Sequence, residues 1–342
     1  MWKKRFFIIG LMITLALPAA VSAQDSLIVW NVLSPDDSSA LAQAGERVGM
    51  GVVLEEVDAT LLLDVALTAE QGGSPEPDVI VTDQLTASNL FDYGMITSMG
   101  ISEFFLPGLI DSLPDLLTER CQDVPLDRCL WPGASVVLPV QFPDDKVLED
   151  LRGWVCQSAE ALPHCSGSAE PGVPVSWGFT ILLFNFDWLA QNGVDIPYNL
   201  DTALEVRGQW KMSIVEADRR FLPLAGELSP DEIYTVSSAL LVEDPDGVMT
   251  SLASFYQAGY VPVLSLNIDS AYVGASAANP RAAFQYAQSL DDPAIKTDLF
   301  FSSQRLPAFY ANDVWNAGVT SQEGEATLRA LTLLVTYAAL AY

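Results

Sequence analysis

Over its first hundred residues the chain alternates short apolar runs with helix-opening signatures. That alternation constrains the fold more than any other feature. Leu27-Ile28-Val29-Trp30 is a run fit for a buried strand, and it ends at Asn31. Ser34-Pro35-Asp36-Asp37 then opens a helix. Ser is a preferred N-cap, Pro suits the first helical position, and the two acids face the positive end of the helix dipole. Leu41, Ala44 and Val48 continue at helical spacing. Val52 to Val57 predicts a second strand, and Asp58 caps a helix bearing Leu61, Leu62, Val65 and Ala66 that ends at Gly72-Gly73. Pro77 to Asp83 is a third strand, followed by a short helix stopped at Gly94. A β-α-β-α-β opening predicts a largely parallel sheet with helices on its faces.

The segment ahead of this opening has the pattern of a secretory signal peptide. Lys3, Lys4 and Arg5 form a charged start, Phe6 through Leu17 an apolar stretch, and Val21-Ser22-Ala23 a small-residue cleavage site after Pro18. The apolar stretch is about 12 residues, short of the roughly 20 needed to span a bilayer. Residues 1–23 are therefore expected to be removed near Ala23, and the mature chain to be exported to a periplasmic or extracellular space.

The four cysteines suit an oxidising compartment. Cys121 lies close in sequence to Cys129, and Cys156 to Cys165, each pair enclosing a proline. Four cysteines allow three pairings. Two local disulfides, Cys121–Cys129 and Cys156–Cys165, are the expected one. Neither spacing has the form of a zinc site, and His164 is the single histidine of the chain, so no metal site and no cofactor are expected.

Charge narrows the partners. Sixteen basic side chains against 44 acidic ones give a formal net charge of −28 over 342 residues, and loss of the leader's three cations makes it more negative still. Such a chain lacks the Lys and Arg needed to displace counterions from a phosphate backbone, so nucleic-acid binding is excluded in practice. Attraction to an anionic membrane surface is disfavoured for the same reason. A Ser-His-Asp centre has a single candidate base in His164, and no Gly-x-Ser-x-Gly elbow is present. Asp244-Pro245-Asp246-Gly247 resembles a calcium loop only in its first positions. Pro245 and the missing distal Glu make it a surface turn.

Further along, Val173 to Asn185 is one long strand-like segment, and Asp187 to Asn192 is a helix closed by Gly193. Ser229-Pro230-Asp231-Glu232 has the Ser-x-x-Glu form of a helix start and predicts a helix through Leu241. Pro262 to Ile268 is strand-like, Pro280 to Leu290 helical, and Glu323 to Tyr342 an apolar helix docked on the body.

Taken in order, several of these passages resemble those of the extracellular solute-binding proteins of ABC importers, in the branch typified by maltodextrin-binding protein. The first strand Leu27 to Asn31 and the Pro77-Asp78-Val79 strand leading to Phe91-Asp92-Tyr93-Gly94 carry part of the likeness. Gly172-Val173-Pro174-Val175, Phe184-Asn185-Phe186-Asp187 and Gly193 to Pro197 match the family's crossing segment. Ser276 to Ala283 precedes an amphipathic helix, and Arg305-Leu306-Pro307-Ala308 resembles a late Leu-Pro-Ala turn. The resemblance implies an α/β fold of two lobes, the periplasmic-binding-protein fold, with hinge strands and a cleft between the lobes. On this basis the N-terminal lobe is expected to comprise 24–175 and 263–315, with a Cys-bearing insertion at about 118–168. The C-terminal lobe is expected to comprise 176–262 and 316–342.

The implied function is capture of a small solute, a sugar or oligosaccharide, for delivery to the membrane permease of an ABC importer by a monomeric protein that performs no chemistry. An exported glycoside hydrolase and a surface interaction protein on the same lobes are the competing readings. In open α/β sheets ligands sit beyond the carboxyl ends of strands, which nominates Trp30, Asn31, Asp83, Gln84, Ser176, Trp177 and Gly178 as ligand-binding residues. Indole faces stack on sugar C–H patches, and Asp, Asn and Gln bond hydroxyls. Core packing is the competing role for each Trp, and helix capping is the competing role for Asp83. Trp210, Tyr260 and Trp315 are weaker additions.

Overall fold

The computed structural model describes residues 26–72, 75–97, 106–131, 145–158, 172–195, 197, 200–216, 228–316 and 318–341. The expected leader, His164 and Cys165 lie outside these residues, as does the Cys156 side chain.

The opening folds as its pattern dictates: β1 (Ser26–Asn31), α1 (Ser38–Arg47), β2 (Gly51–Glu56), α2 (Leu62–Glu70), β3 (Val79–Asp83), α3 (Gln84–Asp92) and a short β4 (Ile96–Thr97). The Ser34 side chain accepts from Asp36 N, with Pro35 starting a single 3-10 turn before α1. β1 pairs parallel with both β2 and β3. Then come α4 (Leu106–Arg120), α5 (Leu126–Leu130), α6 (Asp145–Ser158) and the long β5 (Val173–Asn185). After it run α7 (Phe186–Asn192), α8 (Leu200–Trp210), β6 (Ser213–Glu216), β7 (Glu232–Ser237), α9 (Ser238–Glu243) and α10 (Pro245–Gln257). The 15-residue β8 (Tyr260–Gly274), α11 (Pro280–Ser289), α12 (Pro293–Ser303), β9 (Leu306–Pro307), α13 (Ala311–Asn316) and α14 (Gln322–Ala341) complete the chain.

Among the described residues one sheet of nine strands runs in the order β2-β1-β3-β8-β5-β7-β6, with β4 on β8 and β9 on β5. The expectation of a largely parallel sheet holds only for the opening. β8 is antiparallel to β3 and β5, and β5 is antiparallel to β7, so the sheet is mixed. The two longest strands cause this. β5 and β8 pair from Val173 with Ala271 to Asn185 with Tyr260, and so run side by side from one half of the molecule to the other.

Each half of the sheet is covered on both faces, which makes two lobes sharing two strands. In the first lobe α1, α11 and α12 cover one face, where Leu41, Ala283, Tyr286 and Leu299 meet Val29, Val81 and Val273. α2 and α3 cover the other, around Trp30, Leu62, Ile80 and Leu90. In the second lobe α4, α9, α10 and α14 bury Ile110, Leu241, Leu252 and Leu331 against Ile181, Leu183 and Leu264. The opposite face packs Leu189, Ala203 and Met212 on Leu182, Phe184 and Val263.

Three expectations change. α4 and the Leu151 turn of α6 pack into the second lobe's core. Residues 106–131 and the start of α6 therefore sit there, although they were expected in the first lobe. The helix expected from Ser229 starts only at Ser238. Glu232 to Ser237 is a strand whose Ile233, Tyr234 and Val236 are buried, while Ser237 accepts from Leu240 N as the true N-cap. β-branched and aromatic residues outweighed the capping box, since β7 can pair with β5 and β6 on its two sides. The Asp244 turn is a helix cap: its side chain accepts from Gly247 N at 3.2 Å at the start of α10. Cys121–Cys129 is formed, with Cα atoms 5.9 Å apart, and ties the end of α4 to α5.

Candidate functional site

A groove of about 540 Å³ opens where the lobes meet. Its floor is the middle of the two crossing strands: Trp177 to Thr180 on β5, with Asn267 and Asp269 on β8. One wall belongs to the first lobe, from Leu33, Ser34 and Asp36 after β1 and from Phe301 to Arg305 at the end of α12. The other wall is Ser237-Ser238-Ala239, the junction of β7 and α9 in the second lobe. Leu33 to Asp36 follow the end of β1 and Ser237 to Ala239 stand at the end of β7, where backbone groups and side chains leave the sheet together.

A buried charge network holds the floor to the first wall. Arg305 donates from Nη1 to Asp269 Oδ2 at 2.5 Å and from Nη2 to the Leu33 carbonyl at 3.2 Å, while its Nε faces Asp37 Oδ2 at 3.5 Å. Ser176 Oγ donates to the same Asp269 oxygen at 2.8 Å, and Ser302 Oγ to Asp37 Oδ1 at 2.9 Å. Asp37 is fully buried and Asp269 nearly so. Burial pushes the Asp269 carboxyl above its ordinary range, against the pull of Arg305 and Ser176. Breaking one member of such a network strands a charge in low dielectric, a cost of about 3–5 kcal/mol. The network therefore fixes the shape of this wall.

The second wall is set by a close approach. A Cβ on Gly178 would lie 2.9 Å from Ser238 Oγ. That hydroxyl accepts the buried Phe179 N–H at 3.1 Å. Glycine lets the start of α9 rest on the strand at this point.

The expected residues divide. Trp177 and Gly178 line the groove. Trp177 is 1% exposed, however, and its indole donates to the Pro307 carbonyl at 3.2 Å, so it borders the groove as packed core and offers no open face. Ser176 lies one layer beneath, bound to Asp269. Asn31 is buried, donating to the Ser34 carbonyl at 2.7 Å and accepting Leu33 N, and so shapes the first wall from behind. Trp30 is 1% exposed in the first lobe's core, with its indole donating to Glu55 at 3.0 Å, and lies off the groove. Asp83 caps α3, accepting Thr86 N at 3.0 Å and Thr86 Oγ1 at 2.6 Å, and stands opposite Asp269 in the strand pair. The Gln84 amide is buried without a partner. Neither Asp83 nor Gln84 lines the groove.

Tyr260 is bound to the Ser229 carbonyl within a Tyr234–Phe255–Tyr260 cluster, and Trp210 stacks edge-on with Trp188 on the second lobe's far face. Trp315 lines a separate cavity of about 710 Å³ with Arg120 and Glu325. That cavity is larger, but its described lining is second-lobe chain and includes no residue of the crossing strands.

Three residues of the site carry signals of their own. Phe301 is 59% exposed beside the groove, edge-on to buried Phe300. It is the open aromatic surface that neither tryptophan supplies. Its signal is a second Phe at the end of an apolar helix, past the buried face. Asp269 interrupts the apolar pattern of β8, and Arg305 opens the Leu-Pro-Ala turn. Their pairing is tertiary and has no local mark.

No protein-family model matches the chain, and no curated protein matches it in sequence. Solved structures similar to it include the GacH receptor of Streptomyces glaucescens, studied unliganded and with acarbose. Identity is 12%, with 87% of this chain and 83% of that one covered and a TM-score of 0.43. The maltose-maltodextrin binding protein of Alicyclobacillus acidocaldarius matches at 12% identity over 91% of this chain and 88% of that one, TM-score 0.43. Iron-bound HitA from Pseudomonas aeruginosa matches at 10% identity over 83% and 86%, TM-score 0.39.

Proposed function

We propose that the chain is an exported solute-binding protein. It holds a small solute, with a sugar or oligosaccharide favoured, in the groove between its lobes and hands it unchanged to the permease of an ABC-type importer. The observation that carries this reading is the groove itself, walled by both lobes and floored by the two strands that join them. A solute bridging Phe301 and Ser238 would tie the lobes together, so binding and closure become one event. The lining suits a polyol. Ser237, Ser238, Asn267 and Gln304 offer hydroxyl and amide groups, and Phe301 offers a ring face for C–H surface. Of the residues nominated from sequence, Trp177 and Gly178 are proposed to border the solute, with Asn31 and Ser176 supporting the walls.

Calorimetric titration against a panel of malto-, cello- and amino-oligosaccharides tests the reading. Saturable binding without product is expected. Phe301→Ala should weaken it roughly tenfold or more, as loss of an aromatic anchor does, at an unchanged melting temperature. Trp177→Ala should do the reverse, destabilising the fold by about 3–5 kcal/mol as a core truncation. Binding by none of the panel overturns the proposal. Product that accumulates in proportion to protein favours the hydrolase reading instead.

A further inference from the structure

The charged groups of the groove are unbalanced, and the imbalance points to a class of solute. Its lining holds Asp36, Asp269 and Arg305, with Asp37 directly behind. That is three carboxylates to one guanidinium. Two arms of the guanidinium are already held, Nη1 by Asp269 and Nη2 by the Leu33 carbonyl, while Nε faces Asp37 at 3.5 Å as an ion pair without a hydrogen bond. An incoming anion would meet Arg305, the one cation among the described lining residues, already paired with two carboxylates. A donor meets no such obstacle. Ser176 and Arg305 both donate to Asp269 Oδ2, which leaves Oδ1 without a partner on a side chain that is 3% exposed. Asp36, also in the lining, is exposed. A carboxylate oxygen left unsatisfied in low dielectric is costly, and a ligand N–H that reaches it relieves the cost. The overall formal charge of −28 attracts the same class of ligand from a distance.

We infer that the groove selects a solute bearing a protonated amine, such as an amino sugar, with its ammonium group placed between Asp36 and the floor carboxylate of Asp269. The inference rests on the solute-binding reading and narrows it. Neutral sugars would use the hydroxyl-bearing wall alone, and uronic acids would meet uncompensated negative charge.

The test uses three probes of one shape, glucose, glucosamine and glucuronate. They are titrated at about pH 6, where the free amine of glucosamine is protonated and the free carboxylate of glucuronate ionised. Glucosamine should bind at least roughly tenfold tighter than glucose, and glucuronate weakest. The advantage of glucosamine should shrink at high salt. Asp36→Asn should remove most of the advantage of glucosamine over glucose. Asp92→Asn, at an exposed position on α3 outside the groove, should remove none, which separates a local site from the field of the whole molecule. Glucose binding as tightly as glucosamine, glucuronate binding tightest, or an equal loss in Asp92→Asn overturns the amine class and leaves the solute-binding reading standing. Binding by none of the three, nor by the oligosaccharide panel, overturns the reading and the class with it.

Discussion

Lys296 illustrates what single residues in this fold must reconcile. It is 3% exposed on α12, with its ammonium group donating to Asp291 and to the Ala308 carbonyl beside the Phe309 ring. Burial pulls its pKa below the ordinary 10.5, and Asp291 opposes the shift. A base whose folded pKa lies below its unfolded value adds stability above the unfolded pKa and loses it as pH falls through the folded one. Lys296→Met keeps much of the volume and removes the titration. In paired thermal melts the natural protein should therefore gain on the variant as pH rises toward 10.5; parallel curves would refute the sign. Residue roles were the least legible part of the sequence. Trp30 and Trp177 sit on strands buried on both faces, so hydropathy could not separate a core indole from one facing a ligand. The capping role of Asp83 was readable because Thr86 lies within the next turn. Asp269 and Arg305 meet only through the tertiary fold.

At the scale of elements the sequence was far more informative. Local signals have local causes: β5 occupies Val173 to Asn185 as its apolar run predicts, and Gly193 closes α7 in the left-handed conformation. The Ser229 signature misled because strand pairing is decided by neighbours that a short window does not contain. The seat of α9 on β5 is one contact of this kind and makes a prediction. Gly178→Ala must displace the Ser238 hydroxyl, leaving the buried Phe179 N–H unpaired, at a cost of about 1–2 kcal/mol. Ser238→Ala strands the same N–H. The double variant should thus cost clearly less than the sum of the single ones in denaturant unfolding. Full additivity would mean the two sites act independently.

For the whole molecule, formal charge and chain path matter most. At −28, self-repulsion opposes compaction. Raising NaCl from about 0.05 to 0.5 M shortens the screening length several-fold and should raise the melting temperature by a few degrees, whereas a neutral osmolyte of equal osmolality should not reproduce the salt increment. A flat salt response would show that the acidic surface is already dispersed enough to be harmless. Two lobes and crossing strands were legible through the order of motifs. The placement of α4 and α6 was not, because an apolar helix does not declare which of two cores it will join. The chain path has a consequence in time. One core of the first lobe draws on residues from Leu27 to Leu299, and the main core of the second on residues from Leu106 to Tyr337. A ribosome therefore releases almost the entire polypeptide before either lobe can be finished. Until Leu299 has emerged the nascent chain carries neither of these cores complete, and the second must wait for Tyr337 near the end of α14.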